Sequence, residues 1–161
     1  KKINNLIHAC ADLPDVLQPE LVIIGDGPSR DLLAALAGQH YPGTTFTGAL
    51  YGDALAEQFI NADLFVLPGT GGLAIQQAMS YGLPVIAAEA DGTQQDLVRP
   101  ENGWQIPPND VKSLTDTLKA ALSDIEELRK KGQQSYRIVS DEINLEQMVA
   151  VFIKALNRSV L

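Results

Sequence analysis

Cysteine, histidine and aromatic residues are scarce in this chain, and each scarcity closes off a class of function. The single cysteine, Cys10, excludes an internal disulfide. Its helix-like neighbours mark it as a buried small side chain rather than a nucleophile. The two histidines, His8 and His40, have no carboxylate or cysteine at metal-ligand spacing, so they read as ordinary surface or helix residues and no metal site is expected. The patterns H-E-x-x-H, C-x-x-C and G-x-S-x-G are absent, which leaves metal-assisted hydrolysis and serine hydrolase chemistry without support. No Gly-Lys-Ser/Thr occurs, so there is no phosphate loop of the Walker type. No apolar run approaches the ~20 residues of a membrane-spanning helix, and no signal peptide is visible. Cations are outnumbered, 12 Lys and Arg against 20 Asp and Glu for a net charge of −8. That balance argues against a nucleic-acid groove, though one local anion site can work within an acidic protein.

What is present is aliphatic. Apolar residues make up 45% of the chain and aromatics only 6%, which favours a compact α/β domain built on Val, Ile, Leu and Ala. At 161 residues the chain suits one domain with a sizeable core. It opens at Lys1-Lys2 and is helical in pattern by Ile3, as expected of a domain cut from a longer protein.

Periodicity predicts a helix from Ile3 to near Pro14 and a buried strand over Leu21 to Ile24. A helix after Pro28 is expected to stop at Gly38, followed by a strand at Thr44 to Thr47. Helices are expected over Ala54 to Ile60 and Ile75 to Met79, with strands at Asp63 to Leu67, Val85 to Ala88 and Gly103 to Ile106. A short turn or helix falls around Gln94 to Val98, and Asn102-Gly103 reads as a structural turn beside a core-packed Trp104. Asp110 is placed to cap a helix whose Leu114, Leu118 and Leu122 share a face. Glu126 to Arg137 is charged on most sides and is expected to be an exposed helix. Leu145, Met148, Val149, Phe152 and Leu156 predict a final amphipathic helix, spanning 143–161, that crosses to a partner domain.

Strands alternating with helices imply a Rossmann-like three-layer sandwich: a mostly parallel sheet with helices on both faces. In such sheets ligands bind beyond the carboxyl ends of the strands. Four glycine-marked turns lie at that edge. Gly25-Asp26-Gly27-Pro28 begins like a dinucleotide fingerprint, but Arg30 stands where the third glycine belongs. The turn by itself reads first as a tight connection, with a ligand contact as the alternative. Gly48 closes the second strand. Gly69-Thr70-Gly71-Gly72 is the most telling turn: three glycines let backbone approach a ligand, and Thr70 adds a hydroxyl. The N–H groups of Gly71, Gly72 and Leu73 then face an anion at a helix start. Gln77, further along that helix, either bonds a sugar hydroxyl or faces solvent. Gly92, Thr93 and Gln94 offer a further turn with polar groups suited to hydroxyls.

The order of these turns resembles one family. Leu21-Val22-Ile23-Ile24-Gly25-Asp26-Gly27-Pro28, Phe46-Thr47-Gly48 and Ala62-Asp63-Leu64-Phe65-Val66-Leu67-Pro68 carry the likeness, with Gly72-Leu73, Ala78-Met79, Gly82-Leu83-Pro84-Val85-Ile86, Gly92 and Asn102-Gly103. Together they are similar to the C-terminal, nucleotide-sugar-binding domain of family-4 retaining glycosyltransferases of the GT-B architecture. The resemblance implies a domain that grips the nucleoside diphosphate of a UDP- or GDP-linked sugar, with no separate cofactor. It implies that Lys1 is the lysine of the family's phosphate-binding arginine–lysine pair. It also implies that the arginine, the first strand and the acceptor domain lie upstream of Lys1.

The departures are specific. The family's glutamates, which contact donor sugar and ribose, fall on Gly69 and Gln77, and a further one falls on Gln95. Three functions follow as expectations. The first is the donor half of a hexosyltransferase that builds polysaccharide or a lipid-linked glycan in a bacterial-type cytoplasm, peripheral at the inner membrane. The second is a non-catalytic sugar-nucleotide-binding or partner subunit with a degenerate site. The third is another nucleotide-sugar enzyme of the same architecture, such as an epimerase.

Overall fold

The computed structural model describes residues 1–90, 92–144, 146–147, 149 and 152–154. Five short strands alternate with helices. They are β1 (Val22–Ile24), β2 (Thr45–Gly48), β3 (Phe65–Leu67), β4 (Val85–Ala88) and β5 (Gly103–Ile106). The helices are α1 (Ile3–Ala11), α2 (Arg30–His40), α3 (Gly52–Asn61), α4 (Leu73–Ser80), α5 (Thr93–Leu97), α6 (Val111–Leu122) and α7 (Ile125–Asp141).

Every strand pair is parallel, as the crossover helices require. β1 pairs with β2, and β3, β4 and β5 pair in that order. The register runs Phe65 to Val85 and Val85 to Gly103. The expected single sheet is therefore present as two ladders. Both still serve one core, because Ile23 of β1 and Val66 of β3 pack against the same cluster as Ile86 and Ile106.

β4 shows why the sequence makes a layered fold. All four of its residues are buried, so it carries the continuous apolar run of a central strand. Side chains alternate across its plane. Ile86 and Ala88 join the cluster under α1, α2 and α6, while Val85 and Ala87 join the cluster under α4 and α7. Helices thus cover both faces. Cys10 sits in the first cluster at 1% exposure, as its helical neighbours predict.

Two expected elements differ. α2 does not stop at Gly38. It runs to His40, because the Tyr41 N–H still bonds back to Ala37 O at 2.7 Å. α7 is not an exposed helix: it buries Leu128, Lys131, Gly132, Ser135 and Ile138. Its charge pattern hid a seam of small residues. Gly132 lets the helix cross the Gly82 turn so closely that a Cβ there would lie 2.2 Å from the Gly82 carbonyl oxygen. Lys131, on the same seam, donates to Pro100 O, pairs with Glu127 and lies over the half-buried Trp104 ring. Of the expected final helix, Leu145, Met148 and Leu156 lie outside the described residues, while Val149 and Phe152 are exposed.

Candidate functional site

The turns after β1 to β4 each lie at the carboxyl end of their own strand. The β1 and β2 turns meet directly, where the Gly25 N–H donates to Gly48 O at 2.8 Å. Both glycines have positive φ, +125° and +74°. That conformation is easy for glycine and strained for other residues. Gly27 is exposed beside them, and its N–H is taken by the Asp26 carboxylate at 2.8 Å.

The β3 turn carries the denser arrangement. Gly69 lies against the main chain of Lys1, so a Cβ there would be 2.8 Å from the Lys1 carbonyl carbon and oxygen. Gly71 has φ +150°, and the Lys1 ammonium stands 4.0 Å from where its Cβ would be. Gly72 lies against Thr93, whose Cγ2 would be 2.6 Å from a Cβ at Gly72. Three glycines therefore draw the first residue of the chain, the start of α4 and the start of α5 together. Thr70 is exposed on the same turn, and Gly92 starts α5 at φ +93°.

Helix-end electrostatics mark α1 and α4. The first N–H groups of a helix have no partner within it and carry a partial positive charge. α6 and α7 meet this with Asp110 and Asp124, which accept from the N–H groups of Ser113 and Glu127 at 2.9 Å each. α2, α3 and α5 have no side-chain cap but carry an acidic residue in the first turn, Asp31, Asp53 and Asp96. α1 and α4 have neither. The positive end of α4, beginning at Leu73, is left uncompensated beside the Lys1 ammonium.

A cavity of about 580 Å³ adjoins this end of α4. It is lined by Gly72, Leu73 and Thr93, and by residues the sequence did not single out: Gln76, Asp96, Arg99 and Glu142. Arg99 pairs with Glu142 at 2.8 Å, and this partner holds its guanidinium pKa above the ordinary value. Gln76 donates to Ile143 O at 3.1 Å. These contacts bind the end of α7 to the rim across long sequence separations, so no local pattern announces them. Gln76 alone had a signal, one helical turn after Leu73.

Gln94 departs from its expected place, while Gln77 takes one of its two. Gln94 does not offer its amide to a ligand. It is fully buried, and neither its Nε2 nor its Oε1 has a partner among the described residues. Such an orphan costs free energy that an exposed amide avoids. Gln77 is exposed, four residues after Leu73 on α4, which is the solvent-facing alternative. Gln95 is exposed on α5. Asn102 is a structural turn residue, fully buried and bonded to Arg99 N, Leu97 O and Ser135 Oγ. His8 and His40 meet edge to face, 4.9 Å between ring centroids, and tie α1 to α2. Among the described residues no group of three His, Cys, Asp or Glu is placed to hold a metal ion, and no helix is long and apolar enough to cross a membrane.

Comparison with known proteins agrees with this architecture. The family model for glycosyl transferases group 1 matches residues 1–138. Over 116 residues the chain is 35% identical to sulfoquinovosyl transferase SQD2 of Arabidopsis thaliana, covering 68% of this chain and 22% of that protein. Over 125 residues it is 39% identical to the GDP-mannose-dependent alpha-mannosyltransferase of Mycolicibacterium smegmatis, covering 74% of this chain and 31% of that one. The solved sucrose-phosphate synthase from Thermosynechococcus elongatus superposes with a TM-score of 0.83 at 27% identity, over 99% of this chain and 42% of that one. The chain therefore spans less than a third of these curated relatives, and its fold is that of the C-terminal, Rossmann-like domain of GT-B proteins. The chain belongs to the glycosyl transferases group 1 family.

Proposed function

We propose that this member of the glycosyl transferases group 1 family is the donor-gripping domain of a hexosyltransferase that uses a UDP- or GDP-linked sugar. The uncompensated N-terminus of α4 carries the reading. The N–H groups around Gly71, Gly72 and Leu73 and the Lys1 ammonium offer positive charge without a protein carboxylate in the first turn to neutralise it. A diphosphate leaving group is the charge such a site holds, and holding it lowers the barrier to sugar transfer electrostatically. Thr70, Thr93 and Gln77 are the polar side chains at hand for sugar and ribose hydroxyls. Gly25, Gly27 and Gly48 shape the neighbouring rim. The relative that depends on GDP-mannose supports a nucleotide-sugar donor for this chain. The acceptor, a glycan or lipid-linked glycan, belongs to a partner domain, and the full enzyme is a cytoplasmic one working at the inner membrane face.

Titration of the chain with GDP and UDP, followed by amide shifts, tests this. Shifts centred on Gly71 to Leu73 are expected. A flat titration with both nucleotides removes the reading.

One observation favours a second reading, a sugar-nucleotide-binding subunit without transferase activity. Gly69 has no space for the glutamate that the family resemblance implies there, because the Lys1 main chain fills it. Turnover by the full-length protein separates the two. Nucleotide binding with no transfer to any acceptor supports the second.

A further inference from the structure

The surface behind α4 holds a basic groove that the donor reading does not use. The chain carries eight more negative than positive charges, yet residues 129–137 of α7 include Arg129, Lys130, Lys131 and Arg137 and no carboxylate. Arg129, Gln133, Tyr136 and Arg137 recur at intervals of four, three and one residues, so they share one face of α7. That face borders a cavity of about 580 Å³ whose other wall is Tyr81 at the end of α4. No Asp or Glu lines it.

Three features make this a formed concavity rather than scattered surface charge. The close crossing of Gly132 over Gly82 sets its floor. The Tyr81 ring is stacked on Phe59, 5.2 Å between centroids and 14° from parallel, so its wall is fixed. Among the described residues neither Arg129 nor Arg137 forms an ion pair, whereas Arg99, Lys112 and Lys131 each do. The carboxylates one turn away along the helix are Glu126, before Arg129, and Asp141, after Arg137, while Glu127 pairs with Lys131. Asp141 already accepts from Ser140 Oγ at 2.8 Å.

Arg129 and Arg137 stand eight residues apart, about 12 Å of rise along the helix axis, a backbone spacing across which two long side chains can reach toward one phosphoryl or diphosphoryl group. Tyr81 and Tyr136 add hydroxyl donors and flat apolar faces for the rest of a ligand. A concave wall focuses this positive field in a protein that is otherwise acidic. The overall charge of −8 disfavours an anionic membrane surface as the occupant. We propose that the groove between α7 and the end of α4 binds a small, soluble phosphate ester or diphosphate, its anionic group held between Arg129 and Arg137. The groove shares no residue with the rim at Gly69 to Leu73, lies beyond the opposite end of α4, and stands or falls apart from the donor site.

The test uses the 161-residue chain at low salt, titrated with inorganic phosphate and pyrophosphate and followed by amide and arginine side-chain shifts. Shifts at Tyr81, Gly82, Gln133 and Arg137 are expected, with pyrophosphate the tighter ligand. Arg129→Gln and Arg137→Gln should each weaken binding at least five-fold, and the pair should abolish it. Both sites are exposed, so thermal melts should stay close to the parent. Lys130→Gln, a neighbouring cation outside the groove, should leave affinity unchanged. Equal weakening by Lys130→Gln would reduce the effect to diffuse charge and overturn the proposal. So would shifts confined to Gly71 to Leu73, or retention on phosphatidylglycerol vesicles with no response to pyrophosphate.

Discussion

The main chain of Lys1 occupies the space that a side chain on Gly69 would need: a Cβ there would sit 2.8 Å from the Lys1 carbonyl and 2.9 Å from its Cα. The obstruction is backbone, which a rotamer change cannot relieve. Gly69→Ala therefore has to push Lys1 away from the turn, and with it the ammonium beside Gly71. Overpacking of this kind costs about 1–3 kcal/mol. Affinity for GDP, read by calorimetry, is expected to fall about ten-fold, which corresponds to about 1.4 kcal/mol. Gly69→Glu should do the same, so introducing the glutamate that the family resemblance implies here is expected to weaken nucleotide binding rather than repair it. Unchanged affinity in both variants would remove Lys1 from the site.

Gln77 behaves differently, because nothing crowds it. It is exposed on α4, so Gln77→Glu should leave thermal stability within about 0.5 kcal/mol of the parent. A carboxylate makes stronger hydrogen bonds to hydroxyls than an amide, by roughly 1 kcal/mol. GDP, which has a ribose, should bind about five-fold more tightly to the variant, while pyrophosphate, which has none, should not. A gain shared by pyrophosphate would contradict a ribose contact.

The strands and most helices were legible because they follow from local rules. β4 reads as a buried strand from four apolar residues, and Asp110 reads as a cap from its place before Val111. The burial of α7 was not legible. Its face is built from Gly132, Ser135 and the stem of Lys131, which score as polar or small, and only the crossing over Gly82 makes them interior. The Arg99–Glu142 pair was equally hidden, since forty-odd residues of chain separate partners that only the fold brings together. At the rim, the glycines gave the place of the turn. That Gly69 excludes a side chain, and that Gln94 is buried while Thr93 is not, depend on neighbours distant in sequence.

The α7 crossing yields its own prediction. Gly132→Ala places a methyl 2.2 Å from the Gly82 carbonyl oxygen and 3.3 Å from Pro84 Cδ. Helix propensity alone would make alanine better by about 1 kcal/mol. The collision is with backbone, so packing wins and the variant should be less stable by about 1–3 kcal/mol. Urea melts of the two proteins decide between the signs. A stabilised alanine variant would mean that α7 does not approach the Gly82 turn this closely.

Asp110 links stability to acid. Its carboxylate accepts from Ser113 N at 2.9 Å and Ser113 Oγ at 2.7 Å, and these bonds hold its pKa below the ordinary 3.8. The folded chain thus releases this proton more readily than the unfolded chain. Its contribution is complete above the unfolded value and disappears as pH falls through the lower, folded value. Asp110→Ala should lower the melting temperature at pH 7 by about 2–4 °C. The gap between parent and variant should narrow below pH 4. A gap that stays constant down to pH 2 would show that the carboxylate charge is not what caps α6.

Cys10 should behave as an inert thiol in the native state and as an ordinary one after unfolding. Burial among Ile7, Leu6 and their neighbours pushes its pKa from 9.0 to about 12. The thiolate is the reactive form, so at pH 8.5 native Cys10 should react with iodoacetamide roughly a thousandfold more slowly than the denatured chain. The same shift has a thermodynamic sign. The folded state holds the proton that the unfolded state loses above pH 9, so this group's stabilising contribution is full below that pH and falls as pH rises toward 12. Cys10→Ala gives up packing at every pH but removes this slope. Stability of the parent should therefore decline more steeply than that of the variant between pH 9 and 10.5, with urea midpoints at each pH as the measure. Parallel declines, or rapid native alkylation, would place the thiol in contact with water.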